Sequence, residues 1–327
     1  MFRARRMMAA GMFDGASLLP YSIDFSALAD GALPSGWTGS TWAIASGKAV
    51  NTPTLGAELW DAGASIFASG TYNWAPSGTN LIENDVNELK VTYVDNAGGA
   101  LDFLRDSSDL SVDLTPGTFY QWSYNARVNP GFSVSPLVHD GVNFVLGTAV
   151  TATSKIAGVV DHLKTASLGF ARFSGMTAGS IIWVDDLSLK AKTGLMAIRN
   201  TGRKEQNITG TYTTLRVGTF MGVLANVAPD FSAGICAATN GSVFWAWKWI
   251  GSTWTLLVNV SGGPTTNLPQ IKTVRSGVNL LADFYQNGVQ QGTQKTISDT
   301  QIVDNTYVGL LSTFSGNTIA TFTAVAN

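Results

Sequence analysis

Cysteine is nearly absent. Cys236 stands alone in 327 residues, so the chain forms no internal disulfide. Histidine is almost as scarce, and His139, His162 and one cysteine cannot build an ordinary zinc cage. Charged residues make up only 13% of the chain and glutamate occurs four times, at Glu58, Glu83, Glu88 and Glu205. Long helices draw on Glu, Lys, Leu and Ala, so this shortage points away from them. The net charge is −2, which gives no field favouring nucleic acid or an acidic membrane. The local basic spots, Arg3, Arg5 and Arg6 at the start and Arg199, Arg203 and Lys204 in the middle, read as solvated surface. No apolar run approaches the roughly 20 residues of a membrane helix, so no membrane insertion is expected. The opening "MFRARRMMAAGMF" has a basic head and a short apolar stretch, but Gly11 and Asp14 break it early for a signal peptide. It reads as an N-terminal arm, residues 1–20, that docks on a partner subunit.

What the sequence does have is apolar alternation punctuated by turns. "TWAIASGKAVN" (41–51) reads as strand, turn and strand, and "NELKVTYVDNAGG" (87–99) as a strand ending in a turn. In "TFYQWSYNARV" (118–128), Tyr120, Trp122, Tyr124, Ala126 and Val128 share one face, with Gln121, Ser123, Asn125 and Arg127 on the other. Asp140-Gly141, Asn240-Gly241 and Asn287-Gly288 read as hairpin turns. Only "KIAGVVDHL" (155–163) has helical spacing, at Ile156, Val159, Val160 and Leu163, and it predicts one short helix. The fold class is all-β, a β-sandwich built of many short strands.

Two resemblances divide the chain. "NELKVTYVDNAGGA", "DLTPGTFYQWSYNARV" and the closing "GSIIWVDDLSL" resemble a carbohydrate-binding module of the family 4/9 type, a β-jelly roll. "LLADFYQNGVQQGTQKTISD" (280–299) and "YVGLLSTFSGNTIATFTAV" (307–325) resemble the closing part of a concanavalin-A-like, laminin-G-like sandwich. The start of such a domain is similar to "DFSALADGALPSGWTGSTWAIASGKAVN" (24–51), at the other end of the chain. Insertion explains this: a concanavalin-A-like domain over 21–58 and 193–327, interrupted by a jelly roll over 59–192. First and last strands of such sandwiches lie side by side, so a surface loop accepts the splice. The competing arrangement is two consecutive domains, 21–192 and 193–327.

Catalytic signatures are missing. A glucanase of this sandwich type needs paired carboxylates in a Glu-x-Asp-x-x-Glu pattern, which is absent. Glu83 and Asp85 read as a solvated turn, while Asp185 and Asp186 are adjacent and point to opposite faces of a strand. There is no Gly-x-Ser-x-Gly elbow and no phosphate-cradling loop before a helix. The chain therefore reads as non-enzymatic. The module resemblance implies a structural calcium ion, for which Asp185 and Asp186 are the candidate ligands.

Sugars stack on aromatic rings, so outward-facing aromatics are the candidate binding residues. "VFWAWKWIG" (243–251) places Trp245, Trp247 and Trp249 on one strand face, with Phe244, Ala246, Lys248 and Ile250 on the other. The three tryptophans form a glycan platform, a subunit interface or core. Tyr72 and Trp74 sit in a loop-rich setting that suits a ligand. Together the resemblances are similar to architectures in tailed-phage structural proteins. They imply a non-catalytic virion surface protein (tail, fibre or head decoration), assembled in the host cytoplasm. It would contact other virion subunits through arm and outer sandwich, form a homo-oligomer, and bind cell-surface polysaccharide through many weak sites. A purely structural virion protein, or an extracellular accessory or enzyme of polysaccharide degradation, remains the alternative.

Overall fold

The computed structural model describes residues 20–325 except 61–65, 69, 72–73, 77–78, 96–102, 107–109, 111–113, 140–143, 165–169 and 262–267. Strands dominate. Among the described residues the only helical pieces are a turn of 3-10 helix at Phe25–Ala27 and the short α-helix Thr300–Val303. The strands form four antiparallel sheets, of ten, seven, six and five strands.

Both ends of the described chain feed the two larger sheets. The first strand, Tyr21–Asp24, pairs with the last, Thr318–Val325, in the register Tyr21↔Ala324. The hairpin Trp42–Ala45 and Lys48–Asn51 joins the same ten-stranded sheet. Its turn places Ser46 at φ 50° and Gly47 at φ 69°, the doubly left-handed geometry of a tight hairpin. Asn287 and Gly288 repeat it at φ 53° and 77°, as their sequence predicts. Asp140-Gly141 lies outside the described residues. The seven-stranded sheet packs over the ten-stranded one. Between them lies an apolar core that includes Phe244, Phe284, Phe322, Ile208, Val223 and Leu310.

Strands between residues 54 and 193 supply the six- and five-stranded sheets. These face each other through Trp122 and Tyr124 of the six-stranded sheet, whose rings lie 5.2 and 5.1 Å from that of Phe173 in the five-stranded one. Phe119–Val128 alternates in burial as its sequence predicts, with the aromatic face inward. Two expectations fail. Residues 155–163 do not form a helix: Ile156–Leu163 is a strand paired along its length with Phe119–Val128. Its last four residues are buried on both faces, which removes the alternation that marks a strand. The strand Thr54–Glu58 also leaves the outer group of strands. It pairs with Ile181–Thr193 in the six-stranded sheet, so the chain crosses over at Thr52–Pro53 rather than at 58.

The outer face of the seven-stranded sheet is covered too. Its central strands Met221–Val227 and Ala233–Thr239 are buried at every position. The apolar cluster on that side is continuous with the core of the inserted strands. Phe119 makes two such contacts, edge-on to Phe220 at 5.7 Å and to Trp254 at 5.8 Å.

Candidate functional site

The tryptophan stripe belongs to this buried seam. Trp245, Trp247 and Trp249 share a face, as predicted, but they are 1–2% exposed, so no sugar can stack on them. They resolve as core. Their fit comes from the neighbouring strand, which sets Ala238, Cys236 and Gly234 directly across from Trp245, Trp247 and Trp249. A Cβ on Gly234 would stand 2.5 Å from the Trp249 ring. Trp245 stacks on Trp247 at 5.7 Å and Trp249 on Trp254 at 5.0 Å. Trp74 is likewise core: it is 3% exposed and its ring lies 5.5 Å from that of Trp60. Tyr72 lies outside the described residues.

Asp185 and Asp186 do not fit a calcium site. Lys155 Nζ sits 2.7 Å from Asp185 Oδ2 and 3.0 Å from Glu88 Oε1, which puts an ammonium where a metal would have to bind. Asp186 stands at a bulge with φ 49° and accepts a hydrogen bond from Asn125 Nδ2 at 2.6 Å. The described residues contain no group of three or more acidic, His or Cys side chains placed to hold a metal.

These same residues build a polar surface on the six-stranded sheet. Successive outward positions of Phe119–Val128 carry Gln121, Ser123, Asn125 and Arg127. The neighbouring Ile181–Thr193 adds Trp183 and Asp185 on the same side, since Arg127 pairs with Trp183 and Asn125 with Asp185. Glu88 and Lys90 extend it on the next strand. Trp183 is half-buried at the centre: its Nε1 donates to Asp85 Oδ2 at 2.8 Å, and the Arg127 guanidinium lies 4.0 Å over the ring. Arg127 Nη2 reaches Glu88 Oε2 at 2.7 Å. Burial raises the Glu88 carboxyl, but the hydrogen bonds and charges of Arg127 and Lys155 outweigh it and hold the group below the usual value. The Asp185 hydrogen bond, with Glu88 beside it, holds the Lys155 ammonium above its usual value against some desolvation. Arg127, Lys155, Glu88 and Asp185 are thus each fixed by an opposite charge, on a strand ladder that allows little movement.

At the other end this surface runs beneath the outer strands and closes on a buried ion pair. Lys192 Nζ lies 2.7 and 2.8 Å from the two oxygens of Asp161 and also donates to Thr313 O of the outer group. Gln121 Nε2 donates to Asp161 at 3.2 Å, and the Asp161 amide donates to Gly218 O at 2.7 Å. Burial pushes the Asp161 carboxyl up and the Lys192 ammonium down, each opposed by the other's charge.

The sequence reading missed Trp183, Arg127, Lys155 and Glu88. Their signal is visible in retrospect. The polar half of the alternation in 118–128 and the Trp-Val-Asp of 183–185 are the outward positions of adjoining strands. What one strand cannot reveal is which strand lies beside it.

No family model and no curated protein matches the chain. Among solved structures the chain is similar to a mutant of the GH43 protein BlXynB from Bacillus licheniformis, at 9% identity and a TM-score of 0.31. The likeness covers 40% of this chain and 29% of that one, too little to carry any functional argument.

Proposed function

We propose that this chain is a non-catalytic glycan-binding protein. Its outer strands form a lectin-like sandwich into which a second sandwich, residues 54–193, is spliced. The observation that carries the proposal is the surface around Trp183. There an indole held in place by Asp85 and Arg127 is set among Asn125, Glu88 and Asp185 on a rigid sheet. A sugar presents apolar C–H faces and a rim of hydroxyls. It is recognised by an aromatic surface flanked by directional donors and acceptors. The non-catalytic reading rests on Glu88 and Asp185. They share one ammonium, and Glu88 is held low, whereas a glycosidase needs one carboxyl raised so that it can donate a proton. The virion surface is the setting we propose for this binding. Its support is the nested lectin-like and module-like pattern of the sequence, and weak sites repeated on one particle give avidity.

A glycan array tests the reading. Wild type should bind at least one polysaccharide, and Trp183→Ala should lower that binding about tenfold, in line with the loss of one aromatic contact. Wild type that binds no glycan, or a variant that binds equally well, would sink it. Release of reducing sugar from any bound polymer would overturn the non-catalytic part alone.

A further inference from the structure

A second concavity lies where the two groups of strands meet. It is an open cleft of about 530 Å³, within the range of small-molecule sites. Three chain segments converge on it: residues 38–41 of the outer group, 117–119 of the inserted group, and 192–196, the crossing between them. Glycine permits this convergence. Gly117 has φ 79°, and a Cβ there would stand 2.1 Å from Ser252 O; Gly194 has φ 71°, and its Cβ would meet Thr41 at 2.5 Å.

The lining is of two kinds. Phe231 is a partly exposed ring of the lining, whereas Phe119 and Trp254, 3% and 8% exposed, show little of theirs; Thr38, Ser40 and Thr118 carry hydroxyls. Lys192 is the one charged residue of the lining, and its ammonium is committed to Asp161 and Thr313 O. With no free charge among the described lining residues, the cleft favours a neutral guest over a charged one. The hydroxyls argue against a purely apolar guest, whose burial would desolvate them without a partner. One partly exposed ring mixed with hydroxyls matches a molecule that is neutral, apolar on one face and hydroxylated at its rim.

We infer that this cleft is a binding site for a short neutral oligosaccharide, separate from the Trp183 surface. Its walls come from both groups of strands, so the site exists only because one sandwich is spliced into the other.

Calorimetric titration with cellotriose, maltotriose, laminaritriose and xylotriose, and with an acidic trigalacturonate control, tests it. At least one neutral trisaccharide should bind, and filling the cleft should remove one site per chain. Ser40 is exposed at the mouth, so Ser40→Trp fills the cleft without touching the core, and affinity should fall at least tenfold. Thr118→Val, which deletes one lining hydroxyl at nearly constant volume, should weaken binding several-fold and serves if the first variant folds poorly. The inference is overturned if none of the four neutral probes binds, or if trigalacturonate binds as tightly. It also falls if Ser40→Trp and Thr118→Val bind like wild type. Trisaccharide binding lost in Trp183→Ala but kept in Ser40→Trp would assign the sugar to the sheet surface. That result refutes the cleft and leaves the proposed function standing.

Discussion

Lys192 and Asp161 are the clearest case of a residue whose role depends on what lies beyond its own strand. In the sequence Lys192 is the last residue of the expected jelly roll, and nothing there marks it as buried. In the structure its side chain is 2% exposed, against a fully buried carboxylate. Taking two charges out of water is costly, and their attraction offsets this only while both are present. Lys192→Met should therefore destabilise the protein by about 3–5 kcal/mol, because it strands Asp161. The double variant Lys192→Met with Asp161→Leu should recover most of that loss. Urea denaturation of the four proteins measures the coupling. Additive losses in the double variant would mean that the pair does not act as a unit.

The strands show how far periodicity carries. Alternation is clean where one face is buried and the other wet, so the hairpin at 42–51 and the long strand Phe119–Val128 are legible from sequence. It fails at 156–163, where cover arrives on the second face and the buried run Val160–Leu163 mimics part of a helix. The tryptophan stripe is half legible. Its two-residue spacing shows that three rings share a face, but nothing in 243–251 says what lies over them. The neighbouring "AGICAAT" carries the missing information, since three small residues opposite three rings mark a face packed for bulk. Gly234→Val should clash with the Trp249 ring and cost on the order of 1–3 kcal/mol, read as a lowered denaturation midpoint. An unchanged midpoint would show that the ring has room to move. The Trp183 surface was least legible, because its residues come from strands far apart in sequence, such as Glu88, Arg127 and Asp185.

At the scale of the whole molecule, the strands of 54–193 form two sheets of their own, and their core is continuous with the aromatic face of the seven-stranded sheet. This explains why Trp245, Trp247, Trp249 and Trp254 need no outside partner, although an exposed patch of that kind would call for one. The adjacency of the first and last strands makes the splice geometrically simple. The inserted strands in turn anchor through Phe119, Asp161 and Lys192. The most direct test removes residues 54–193, joins the ends with a short Gly-Ser linker, and records tryptophan emission with hydrophobic-dye binding. The account predicts a chain that keeps its β circular dichroism while its emission shifts to the red and it binds dye, because the aromatic seam is uncovered. A monomer with blue emission and no dye binding would contradict it, since the outer sandwich would then cover its own tryptophans.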